Sequence, residues 1–172
     1  MSTLLVAAIL VGSVAAICLL LIINHNKHKR ETMNKILRHF SQIGTENNLS
    51  FSSQEMLNDS LLGLDGMKRK ILVVKKVNDN YESMVIDLRD VKSCSVKKKY
   101  GTIKADDLKN NKLEKYLEEI VLHFDLNNKP SAEISFYNDV ENNVYQTMEL
   151  EQKARHWEAI LSKMQMPVKK IA

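Results

Sequence analysis

The residues able to do chemistry in this sequence are cations, histidines and two thiols, and their spacing favours contact over catalysis. Lys68, Arg69 and Lys70 follow Asp65-Gly66, a dipeptide that closes hairpins. Three cations on one turn suit an anionic lipid headgroup, or they keep strand edges from pairing with other chains. Lys97-Lys98-Lys99 has the same two uses. Lys27, Lys29 and Arg30 follow directly on an uncharged run and suit anionic lipid at about 1 kcal/mol each.

His25 and His28 share one helix face, but no carboxylate or thiol stands at metal-ligand spacing from them. His123 is expected to face outward from a strand, and His156 to sit at the edge of a helix's buried face. Cys94 has no activating neighbour in sequence and reads as a buried strand thiol. No glycine-rich phosphate loop, nucleophile elbow or carboxylate pair is present, and five glycines suit no nucleotide-binding fold. Neither catalysis nor a metal or cofactor is expected. The net charge of +4 fits anionic lipid as well as nucleic acid. One Trp, five Tyr and four Phe, several at core positions, are too few for a base-stacking surface, so no nucleic-acid partner is expected.

The elements that must position these residues begin with Leu4 to Ile23, a run without a charged residue. As a helix it would extend about 30 Å, the hydrocarbon thickness of a bilayer, so residues 1–23 are predicted to be a transmembrane helix. A cleaved leader fits less well: no cation precedes the run, which is too long and has no small-residue exit. The cations after it place the following domain in the cytoplasm, at the inner or plasma membrane. Ala8, Gly12 and Ala16 form a small-residue stripe suited to helix–helix contact in a homodimer. Cys18 lies within the run, so no disulfide to Cys94 is expected.

Residues 24–60 read as a basic flank, an amphipathic helix and a polar connector. Met33, Ile36, Leu37, Phe40 and Ile43 give helical spacing from Glu31 to about Gly44, with Gly44 as C-cap. This helix can continue the membrane helix, lie on headgroups or dock on protein; docking is expected, because two heptads make a poor coiled coil. Thr45 to Asp59 is read as connector, with Ser52 and Glu55 at capping-box spacing for a short helical turn.

Beyond it the period falls to two. Strands are predicted at Leu61–Leu64, Lys70–Lys76, Tyr81–Leu88, Val91–Val96, Glu118–Leu126 and from Ala132 through Phe136, with 104–112 as a loop. Thr147 to Met164 is predicted helical, its stripe being Met148, Ala154, Trp157, Ile160, Leu161 and Met164. Residues 166–172 are a tail.

Three stretches carry a family likeness: Leu61-Leu62-Gly63-Leu64-Asp65 leading into Lys70-Ile71-Leu72-Val73-Val74; Val85-Ile86-Asp87-Leu88-Arg89-Asp90-Val91; and Ile134 to Asp139 with Ala154-Arg155-His156-Trp157. On these, residues 61–165 resemble the bacterial membrane-associated pleckstrin-homology-like (PH-like) domains. The resemblance implies an α+β fold: one bent antiparallel sheet or partial barrel capped by a C-terminal helix. It also implies an adaptor that binds headgroups, peptides or proteins without catalysis. The expectation is therefore a single-pass anchored scaffold engaging a protein partner, with anionic lipid met at Lys27, Lys29, Arg30, Lys68, Arg69 and Lys70. The alternative is an exported anchored domain that assists an envelope assembly.

Overall fold

The computed structural model describes residue 27 and residues 30–57, 59–78, 80–103, 114–127 and 129–165. Helix α1 covers 30–46. Seven strands follow: β1 Ser53–Leu57, β2 Ser60–Asp65, β3 Lys70–Val77, β4 Asn80–Asp87, β5 Val91–Ile103, β6 Glu114–Leu126 and β7 Ala132–Asn138. A 3-10 turn, Val144–Gln146, leads into helix α2, Thr147–Gln165.

The strands form two antiparallel sheets, ordered β1-β2-β3-β4 and β5-β6-β7. This corrects the expectation of one bent sheet or partial barrel. After β4 the chain turns through Leu88 to Asp90, where Leu88 donates to the Arg69 carbonyl (2.8 Å) and Asp90 to the Asp87 carbonyl (3.0 Å). It then starts a second sheet, and no ladder joins the two among the described residues. The membrane part of the expected fold is corrected too. No helix among the described residues is long and apolar enough to cross a membrane; α1 carries Arg30, Glu31, Lys35 and Arg38, and α2 is charged along its length. Leu4–Ile23, with Ala8, Gly12 and Ala16, lies outside the described residues, as do Lys29, 104–113 and the tail.

The main core lies between the sheets and under α2, with Leu62, Ile71, Ile120, Leu122, Phe124 and Leu161 essentially inaccessible to water. Trp157 anchors α2 there, its indole N–H lacking a hydrogen-bond partner. The α2 stripe differs from expectation at its start: Leu150 is buried and Met148 exposed.

A second core explains why β3 reads Ile71-Leu72-Val73-Val74 without alternation: a strand covered on both faces needs apolar residues on both. Ile71 and Val73 face the main core, while Leu72 and Val74 face α1. Ile36 and Phe40 of α1 pack on Leu61, Leu72 and Val74, with Ile43 and Phe51 alongside. Docking on the domain is thus how α1 is used. Gly63 makes the approach possible, because a Cβ there would stand 2.4 Å from Phe40 Cζ.

Gly44 is not the C-cap. The helix continues to Glu46, and Asn48 takes the left-handed conformation (φ 52°). Asn48 donates to the Thr45 carbonyl (2.9 Å) and Leu49 to the Gly44 carbonyl (2.7 Å), the paired bonds of a Schellman end. The expected connector is partly strand: Ser52 and Glu55 cap no helix, and β1 pairs with β2 from Ser53↔Leu64 to Leu57↔Ser60.

Candidate binding cleft between the two sheets

The cations singled out from sequence do not form one surface. Arg30 and Lys27 stand at the start of α1, both exposed. Lys68 lies past its other end, where its Nζ donates to the Asn48 carbonyl. At about 1.5 Å per residue, α1 sets the two groups roughly 24 Å apart. The β2–β3 turn is also organised for structure. Asp65 is buried, and its carboxylate accepts from the backbone N–H of Ser50 and of Lys68, both at 2.8 Å. These bonds, Lys68's first, hold its carboxyl below the ordinary range. Arg69, not Gly66, takes the positive φ (54°), and Lys70 pairs in register with Asp87.

The second basic run lies within β5, and two of its three lysines are ion-paired. Lys98 pairs with Glu151 of α2 (2.6 Å); Lys99 pairs with Glu133 (2.6 Å) and Glu119 (3.1 Å). Glu133 then accepts from or meets His123 Nδ1 (3.0 Å), whose Nε2 meets Asp125 (3.0 Å), which accepts from Ser93 Oγ (2.6 Å). His123 does point to the outer face of its sheet, where these partners cover it, while His156 is exposed. Lys99 first and His123 second hold the Glu133 carboxyl low; Ser93 first and His123 second do the same for Asp125. The serine proton goes to a carboxylate and both imidazole nitrogens are engaged, so Ser93 and His123 do not make the nucleophile–base contact of acyl transfer. Cys94 is buried, and burial, then the Glu158 charge, pushes its thiol up to about 12. No cluster of His, Cys, Asp or Glu suited to a metal exists among the described residues.

The sheet edges differ in their cover. On β5, the Val96 N–H donates to Glu158 of α2 (3.0 Å), so the helix satisfies an edge donor. The β4 and β7 edges instead face one another across a cleft. Glu82 to Met84 opposes Glu133 to Phe136 along one hollow of about 270 Å³, and Met84 to Asp87 opposes Pro130 to Glu133 along another of about 450 Å³. Met84 and Glu133 line both hollows, so the strands pass in opposite directions with one continuous groove between them. The seven residues of β7 give it a length of roughly 23 Å.

Its floor is apolar, from Val73, Met84, Ile134 and Phe136. Its rim is mostly acidic: Asp59, Glu82, Glu133 and Glu141 at one end, Asp87 and Asp90 at the other. Lys75 meets Glu141 (3.6 Å) and Lys129 meets Asp90 (2.7 Å), while Arg89, bonded to it, holds Asp87 down at about 2. Sequence reasoning passed over this cleft. Its floor residues are ordinary strand apolars, and its rim joins β4 to β7 only in space.

No protein-family model, curated protein or solved structure matches this chain.

Proposed function

We propose that this protein is a non-catalytic binding module that takes an extended, Lys- or Arg-bearing segment of a partner protein along the groove between β4 and β7. The observation carrying this reading is the pair of strand edges flanking an apolar floor under an acidic rim. An added strand gains affinity from main-chain hydrogen bonds to an open edge, and alternate side chains enter the floor. The rim's carboxylates select cations in the incoming segment and speed its arrival. A compact small molecule would leave most of such an open groove unfilled.

In the same proposal, the uncharged run of residues 4–23 holds the module at the cytoplasmic face of the cell membrane. The cations after that run support this side. Confinement to a surface raises local concentration, so a modest groove suffices. The PH-like resemblance belongs to this proposal on the stretches that suggested it, supported by the order of strands followed by one closing helix.

A displayed library of random linear peptides, selected on the full chain in detergent, tests the reading. Enriched sequences should alternate apolar residues and carry Lys or Arg. Glu82→Lys, an exposed rim change, should weaken the selected peptides about tenfold, the order expected for a rim charge. Selection of acidic peptides, or binding unmoved by Glu82→Lys and Met84→Lys together, would overturn it.

A further inference from the structure

Four apolar side chains stand in water at one end of the molecule. Val140 is 88% exposed, Val144 67%, Tyr145 89% and Met148 73%. They lie on one short stretch, the β7–α2 connection and the first turn of α2, and that stretch is held firmly. The Asn143 side chain accepts from Tyr145 N–H (3.1 Å) while Gln146 accepts from the Asn143 N–H (3.1 Å). Thr147 Oγ1 donates to the Val144 carbonyl (2.6 Å), and the Asn138 side chain accepts from Val140 N–H (2.9 Å). A turn so tied presents its apolar groups by construction, and clustered apolar exposure of this kind marks a contact surface.

Its place in the fold names the occupant. Glu141, within the turn, meets Lys75, and Lys75 to Asn78 line the same hollow as Glu141, so the turn lies at the β3–β4 end of the first sheet. Helix α1 enters at that end. Its C-terminal side packs by the β2–β3 turn, and His39 rests on Tyr81 near the β3–β4 turn (ring centroids 5.6 Å). The nine residues before His39 then carry the chain about 13 Å further outward, to exposed Arg30, with exposed Lys27 preceding it in the chain. Upstream stands the uncharged run 4–23. One end of the molecule therefore gathers an apolar turn, a tyrosine, cations and the entry from the most apolar segment of the chain. Tyrosine, with an apolar ring and a polar tip, belongs at a membrane–water boundary.

We infer that this end rests on a lipid surface, with Val140, Val144, Tyr145 and Met148 entering the headgroup layer. The β2–β3 turn, with Lys68, Arg69 and Lys70, points away from it. The inference depends on the proposed membrane residence of residues 4–23, and it fixes the module's orientation: the cleft stands upright from the bilayer, with its Glu141 end nearest the lipid.

The test uses the full chain with Cys18→Ser and buried Cys94 kept, spin-labelled at Val144→Cys or, as control, at Met67→Cys. Met67 is 96% exposed and belongs to the far turn. Both proteins are reconstituted into vesicles of phosphatidylcholine alone and of phosphatidylcholine mixed with phosphatidylglycerol. A several-fold loss of collision with a water-soluble nickel chelate at position 144, with gain in oxygen collision and no change at 67, is the expected result. Equal water exposure at the two positions in chains that float with vesicles overturns the orientation alone. Failure to float after an alkaline wash overturns the membrane residence beneath it. Shielding at 144 that fades as lipid is added in excess overturns it in favour of a second copy.

Discussion

The two sheets are treated differently on their outer faces. The four-stranded sheet is covered by α1, and its outer residues Leu61, Leu72 and Val74 are as dry as its inner ones. The three-stranded sheet has no helix over its outer face among the described residues. There Ser93, Lys99, Glu119, His123, Asp125 and Glu133 form a lattice of charge and hydrogen bonds. The first face draws its stability from area removed from water and the second from screened pairs. These are effects of different size, since exposed ion pairs contribute about 0–1 kcal/mol and a buried aromatic several times more. Helix α1 is thus part of the folded domain, not a leash to it.

Four experiments can break or sharpen that contrast. Phe40→Ala should cost about 3–5 kcal/mol, as buried Phe truncations do. Urea denaturation of the full chain reads this directly, and a cost under about 1 kcal/mol would mean that α1 is not core. Gly63→Ala should cost about 1–3 kcal/mol by overpacking, since the new Cβ would crowd Phe40 and Phe51. Pairing it with Phe40→Leu should recover part of the loss, which simple strand weakening would not.

Asp65→Asn comes next, at about 1–3 kcal/mol, because it weakens acceptance from two backbone donors. Its signature is in acid. The native carboxyl lies below its ordinary 3.8, so its contribution is complete above that value and is lost as pH falls through the depressed one. Stability measured below pH 3.8 should therefore fall less steeply in the variant than in the native chain; parallel curves would remove Asp65 from the account. Smallest is Lys99→Gln on the open face, which should shift stability by about 0–1 kcal/mol. High salt should erase that difference while leaving the Phe40 effect intact. A Lys99 effect as large as the Phe40 effect would refute the contrast.

Much of the fold was legible. The hairpin at Asp65-Gly66, the turn after Val77 and the closing helix from Thr147 are local events, and short-range chemistry specifies them. Yet the Asp-Gly signal worked through a different atom than its rule supposes: the buried Asp65 carboxylate organises the turn, and Arg69 takes the left-handed residue's place. The Ser52/Glu55 spacing suggested a helix cap, but β2 offered Ser53 to Leu57 a full ladder of partners, and tertiary pairing outweighed a local motif. Lys97 to Lys99 looked like a solvated run because nothing in sequence shows that Glu151, Glu119 and Glu133 converge on it. The candidate cleft was illegible for the same reason, its two walls being some fifty residues apart in the chain.

By itself the sequence determined the periodicities, and through them the two helices and strands β2 to β7, while β1 and the double burial of β3 needed β2 and α1 as partners. A side chain's period depends only on backbone geometry and on which neighbours are apolar. The tertiary structure alone decided which edges stay open, which cations are neutralised and which end carries the exposed turn. Each of those is a meeting of residues remote in sequence, governed by a packing of two sheets and two helices that no local pattern encodes.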